Sequence, residues 1–249
     1  MLASDGTLHY SDLRQFSRSA AHYKHRIQET YEATRAMRVG TCVHHLVLGE
    51  RQDRPLVVFP GERRQGNAWE AFKHNNQGVE IVTQPEMDDA KPVALAVLAN
   101  PFAKELMAGA ELEVPLKWEM RGVPCSTGGV DILGKSYVVE LKTTSCAEPD
   151  AFERHSFKML YQAQLAWYRA GLAELGRPVN EAFIIAAETE APYPVTVFKL
   201  SAELLEDGAK SIALWLERYI QCRDAGEWPA YAQSIITMNA PAWWRDEES

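Results

Sequence analysis

Asp131, Glu140 and Lys142 are the side chains of this sequence best suited to chemistry. They lie on two apolar runs, Gly129-Val130-Asp131-Ile132-Leu133 and Val138-Val139-Glu140-Leu141-Lys142-Thr143-Thr144, which read as paired strands. Gly134-Lys135-Ser136 between them has the length of a hairpin turn. Strand alternation puts Glu140 and Lys142 on one face, where Asp131 meets them from the neighbouring strand. Two carboxylates suit a hard divalent cation such as Mg²⁺ or Mn²⁺, and an ammonium beside them holds or polarises an attacking water. A phosphodiesterase needs that combination. Set against it, a Glu/Lys pair on a solvated strand face occurs in many sheets. The apolar Val138, Val139 and Leu141 favour a site, because a charge buried among them requires a partner or a metal.

The elements that must position these residues form an α/β pattern. Residues 8–38 read as helical, with Ser11 as N-cap, and Gly40-Thr41 opens a second helix that stops at Gly49. Leu56 to Phe59 is a short strand between prolines, and residues 61–78 are a loop or a short helix around Trp69 and Phe72. Pro85 to Met107 is helical with an interruption at Asn100-Pro101. Three strands follow, Leu112–Trp118, Gly122–Asp131 and Tyr137–Lys142, then a helical region over 149–171. Strands at 183–187 and 193–200, a helix over 204–223 and an irregular tail after Trp228 complete the chain. It reads as one domain over 1–249: a mainly helical part to residue 80, a core over 110–200, and a helix and tail over 201–249.

At 249 residues, 46% hydrophobic and 24% charged, the composition is that of an ordinary globular protein with a substantial core. No run of about 18 apolar residues offers a membrane span. Met1 to Gly6 lacks the basic and apolar regions of a signal peptide. Cys42, Cys125, Cys146 and Cys222 are scattered, which argues for reduced thiols in the cytoplasm and against a zinc or iron–sulfur site. The net charge of −8 is awkward for a protein that grips a polyanion. It is uneven, however: residues 1–64 carry +3 and the remainder −11. Arg14 and Arg18, with Lys24 and Arg26, make this segment a phosphate-contacting surface or else a solvated helix face.

The segment Asp131…Glu140-Leu141-Lys142-Thr143-Thr144 resembles the core of the PD-(D/E)XK nuclease superfamily. From Leu8 to Tyr231 the chain is similar, more narrowly, to the exonuclease VIII (RecE-type) branch of phage and prophage recombination nucleases. Two departures stand out: Val130 precedes Asp131 where the family often has Pro, and Glu140 replaces the usual Asp of the lysine motif. Both keep the metal-binding oxygens.

The resemblance implies a restriction-endonuclease-like core sheet flanked by helices, with N-terminal helical additions. It also implies roles for single residues. Gly40-Thr41-Cys42-Val43-His44 looks like the family segment whose histidine lies at the metal site, although His44 also falls on the apolar arc of its helix, as a core histidine would. Glu113, ahead of Trp118, corresponds to a glutamate of the same metal cluster, with Glu111 two residues away as the competitor. Tyr161, Gln164 and Tyr168 share one helix face by spacing, and the resemblance makes Gln164 and Tyr168 the motif that orders the active site and contacts the DNA end. Asp131 and Glu140, with His44 and the Leu141 carbonyl, would then hold one or two Mg²⁺ or Mn²⁺ ions. The implied activity is resection of linear double-stranded DNA ends, 5′→3′, beside a single-strand annealing recombinase, by a homo-oligomeric ring of three or four subunits. Two competing readings are a structural relative that binds DNA or recombinase without cutting, and an endonuclease on the same core. An unrelated metal enzyme with Asp131 and Glu140 as incidental surface residues is a third.

Overall fold

A computed structural model describes residues 6–29, 32–51, 55–232 and 234–240. Met1 to Asp5, where the N-terminal reading largely falls, and the tail beyond residue 240 lie outside them. The central sheet has the order β1-β5-β6-β7-β8, with β4 paired to the other edge of β5. Its strands are β1 (Leu8–His9), β4 (Glu111–Met120), β5 (Val123–Leu133), β6 (Tyr137–Thr144), β7 (Glu181–Glu188) and β8 (Val195–Lys199). β6 and β7 run parallel, and β5 is antiparallel to both β4 and β6.

The central strands β6 and β7 are covered on both faces, so their alternate residues serve different cores. Val139, Leu141, Ile185 and Ala187 point into one with α3 (Arg35–Leu48) and α5 (Gln84–Ala99). Val138, Ala182, Ile184 and Ala186 point into the other, with α8 (Tyr161–Glu174) and α9 (Ala202–Ala225). Glu140 and Lys142 share the strand parity of Val138 and face α8. Trp167 anchors that layer: fully buried, it packs on Trp118 with ring centroids 4.8 Å apart and donates its indole N–H to the Ser126 carbonyl. Loss of such a side chain costs about 3–5 kcal/mol.

The N-terminal expectations need correction. Residues 8–38 are not one helix. Leu8 and His9 form a strand that pairs in parallel with Cys125 and Ser126 of β5. A short helix α1 (Tyr10–Leu13) and a 3₁₀ turn (Arg14–Ser17) follow. Ser19 then caps α2 (Ala20–Arg26) by accepting from the His22 N–H, and Thr34 caps α3 by accepting from Met37. The second helix therefore starts at Arg35, not Gly40. Residues 61–78 contain α4 (Gly66–Asn75), which links β2 (Leu56–Phe59) to an unforeseen parallel strand β3 (Glu80–Thr83). Asn100 caps α6 (Pro101–Met107) and ends α5, at the expected interruption. The 149–171 region is two helices, α7 (Pro149–Met159) and α8, broken at Leu160, whose φ is +63°.

Candidate metal centre

β5 and β6 pair only at Ile132–Val139 and Leu133–Val138, and then part. Beyond the split β1 takes over the same edge of β5. Asp131 and Glu140 stand one residue past the last pair, at the mouth of this fork. Both are buried, at 5% and 4% exposure, and the Leu141 N–H donates to Asp131 Oδ2 at 2.7 Å.

α3 approaches the fork because residue 40 is glycine: a Cβ there would lie 3.0 Å from Thr143 Oγ1 of β6. One turn on, His44 places Nε2 3.0 Å from the Leu141 carbonyl. Its Nδ1 is 3.5 Å from Asp131 Oδ1 and 3.9 Å from Glu113 Oε1. Glu113 arrives from β4 by an irregular route. Its φ is +51°, and the β4–β5 register slips between Val114 and Leu116. Its second carboxylate oxygen is 3.3 Å from Arg51 Nη1, while Arg51 Nη2 donates to the Gly128 carbonyl. Gly129 makes this possible, since a Cβ there would sit 2.6 Å from Glu113 Oε2.

On the α8 side Lys142 Nζ donates to Glu140 Oε1 at 2.5 Å and to Gln164 Oε1 at 3.1 Å. Gln164 Nε2 lies 2.8 Å from the same Glu140 oxygen and 2.7 Å from the Tyr168 hydroxyl. The ammonium also rests over the Tyr161 ring, 4.7 Å from its centroid. Glu140 Oε2 is buried without a hydrogen-bond partner among the described residues.

These contacts set the charges. Burial opposes a charge on His44, but Asp131, Glu113 and Glu140 outweigh it and raise its pKa to about 10. Burial likewise opposes the Asp131 carboxylate, yet His44, Lys142 and the Leu141 N–H hold it below the usual range. Glu140 goes the other way: burial and the Asp131 charge push it up against Lys142 and His44. Burial would lower Lys142, but Glu140, Tyr161 and Asp131 raise it.

The donor set fits a divalent cation. His44, Glu113 and Asp131 each offer one ligand atom, all within 4.8 Å of one another, and the orphaned Glu140 oxygen is an acceptor in need of a cation. The carboxylates and the backbone carbonyl suit a hard divalent cation, and the imidazole admits a softer one.

The structure thus gathers His44, Glu113, Asp131, Glu140, Leu141, Lys142, Gln164, Tyr161 and Tyr168 in one place. Glu111 is elsewhere, exposed and ion-paired with Arg177. His45 lines the same 550 Å³ cavity as His44. Arg14 sits on the 3₁₀ turn and acts on Tyr10, whose hydroxyl donates to the Leu160 carbonyl at the start of α8. Arg18 is exposed at the end of that turn. Sequence reasoning missed Arg51 and placed Arg26 only on a phosphate-contacting segment, and both line the cavity. The Gly128-Gly129 doublet was the available signal, since it leaves room for Arg51 and Glu113.

Among solved structures, the chain is similar to a protein described as a putative exonuclease from Eubacterium rectale, at 13% identity and a TM-score of 0.65, over 99% of this chain and 98% of that one. That likeness speaks for the fold. A phage-related exonuclease from Haemophilus somnus 129PT aligns over 75% of this chain and 95% of its own at 11% identity, with a TM-score of only 0.36. An alkaline exonuclease from Laribacter hongkongensis aligns over 77% and 96% at 13% identity, with a TM-score of 0.29. Neither of the latter two bears on the fold of this chain. No curated protein matches. Among the described residues no helix is long and apolar enough to cross a membrane. Residues 9–241 match the model of the PDDEXK-like domain of unknown function DUF3799, so the chain belongs to that family.

Proposed function

We propose that this protein is a metal-dependent exodeoxyribonuclease that resects linear double-stranded DNA ends, 5′→3′, for phage-type homologous recombination in the bacterial cytoplasm. One observation carries the reading: at the fork, a buried carboxylate with an unmet oxygen adjoins both a His–Glu–Asp ligand set and a fixed ammonium. The PDDEXK-like family assignment and the exonuclease-like fold support it.

Asp131, Glu113 and His44, with Glu140 and the Leu141 carbonyl, would hold one or two Mg²⁺ or Mn²⁺ ions. When bound, such an ion polarises the phosphate and lowers the pKa of water. Lys142 is a hydrogen-bond donor fixed by Glu140 and Gln164, and it orients the nucleophilic water toward phosphorus. Gln164 holds that lysine from the far side, and Tyr168 holds Gln164. Tyr161 screens the ammonium from solvent and offers its ring edge to the DNA end. Arg26, at the cavity rim, meets the phosphate backbone, and Arg14 and Arg18 extend the contact along the duplex. A homo-oligomeric ring of three or four subunits would keep an acidic protein on its substrate, next to a single-strand annealing recombinase.

The test compares end-labelled linear duplex with covalently closed circles, in Mg²⁺ and in Mn²⁺. Digestion that requires a free end and releases mononucleotides or short products supports the proposal. Rapid nicking of circles would make the protein an endonuclease on the same core. Binding of DNA without cleavage in either metal would make it a structural relative.

A further inference from the structure

A second cavity of about 560 Å³, separate from the metal centre, opens between α7, the end of β8 and the start of α9. Its floor is apolar: Phe152 and Phe198 stack with centroids 4.8 Å apart, and Phe157 stands at the lip, 58% exposed. Gln162 lines it from α8. That side chain is 2% exposed, yet its Oε1 is buried with no hydrogen-bond partner among the described residues. Gly208 lets α9 close on this point, since a Cβ there would lie 2.4 Å from the Gln162 carbonyl.

Such an orphan costs about 1–3 kcal/mol unless a donor meets it. Glu153, Glu203 and Asp207 also line the cavity, and none forms an ion pair with a described residue. Its lysine, Lys199, is engaged with Glu181. The groove therefore presents an apolar floor, a buried acceptor and an acidic margin.

We infer that this groove docks a peptide segment of a partner protein that carries an aromatic or leucine anchor beside lysine or arginine. The anchor fills the space over Phe152 and Phe198, an N–H of the peptide donates to Gln162 Oε1, and the cationic residues face the three carboxylates. DNA is unsuited to it because the margin is anionic. Residues 234–240 of the chain itself mix apolar and polar side chains and carry no cation. The groove is independent of the nuclease reading and uses none of its residues.

Random heptapeptides displayed on phage are selected on the full chain and counter-selected on a Phe157→Glu/Asp207→Lys variant whose fold is checked by circular dichroism. Enriched sequences should pair an aromatic or leucine with Lys or Arg and lack Asp and Glu. The best synthetic peptide should bind Gln162→Leu at least tenfold more weakly, while Phe157→Glu/Asp207→Lys keeps its activity on naked DNA. Failure to enrich over the variant would overturn the inference, as would acidic sequences or a peptide indifferent to Gln162→Leu. Concentration-dependent self-association abolished by Phe157→Glu would assign the groove to a second copy of this chain instead.

Discussion

Glu86 and Glu140 are both buried glutamates, 3% and 4% exposed, yet their surroundings differ in kind. Glu86, in the first turn of α5, has every oxygen engaged. Arg38 Nε donates to one at 2.6 Å, and the Thr83 N–H at 2.8 Å and Arg64 at 3.5 Å share the other. Burial opposes its charge, but the Thr83 N–H, Arg38 and Arg64 prevail and hold its carboxyl below the usual range. Glu140 has one crowded oxygen and one empty, and its carboxyl is held above that range. Burial of a charge is thus no signature of function. What sets Glu140 apart is an unmet oxygen that lies beside the His44, Glu113 and Asp131 ligand atoms.

The largest test of that contrast is catalytic. Lys142→Ala should reduce cleavage of end-labelled duplex at least ~100-fold and leave Mg²⁺-induced thermal stabilisation intact. Asp131→Ala should lose both. Near-native cleavage by either variant would remove that residue from the site.

Stability should separate the two glutamates next. Glu86→Ala leaves Arg38 uncompensated and should cost about 3–5 kcal/mol in denaturant unfolding. Glu140→Gln should leave the metal-free protein as stable or more so by about 1 kcal/mol, while it abolishes stabilisation by Mn²⁺. Equal losses from both variants would erase the distinction drawn between them.

pH sharpens it further. The folded pKa of Glu86 lies below its ordinary 4.5, so its stabilising contribution is present above that value and fades as pH falls through the folded one. Glu86→Gln should therefore flatten the loss of stability between about pH 5 and pH 3, as read from urea midpoints. An unchanged acid limb would mean that other carboxylates dominate it.

Smaller effects belong to the ligand set. His44→Ala should weaken Mn²⁺ affinity at least tenfold, about 1.4 kcal/mol, and His45→Ala should leave it within a factor of two or so. Gly129→Ala, by pressing on the Glu113 carboxylate, should weaken it only several-fold, about 1 kcal/mol. Titration of the variants with Mn²⁺ by electron paramagnetic resonance measures both. A stronger effect from His45 than from His44 would reassign the ligand.

The strand residues of the site were legible because period-two alternation is a local property. Asp131, Glu140 and Lys142 needed only the hairpin between them. Spacing alone could not separate Glu111 from Glu113, because the left-handed backbone at Glu113 breaks the alternation by which the two would share a face. The N-terminal segment was misread for a different reason. Leu8 and His9 are a strand only because β6 leaves the edge of β5 open more than a hundred residues later, and nothing local to positions 8 and 9 reports that. Capping by Ser19 and Thr34 was visible, but a continuous helical reading passed over both. Arg51 stayed hidden because its partners, Glu113 and the Gly128 carbonyl, come from other strands.

The sharing of one β5 edge by β6 and β1 also bears on how the chain assembles. β6 reaches that edge across a short hairpin, whereas His9 lies 117 residues from its neighbour Ser126. During synthesis the first strand waits, unpaired, until β5 has left the ribosome, and closing so long a loop is slow. Until it docks, half of a central strand stays open to pairing with other chains. The N-terminal segment therefore acts as a late-fitting seal, whose arrival ends the period in which the nascent chain is most exposed to aggregation.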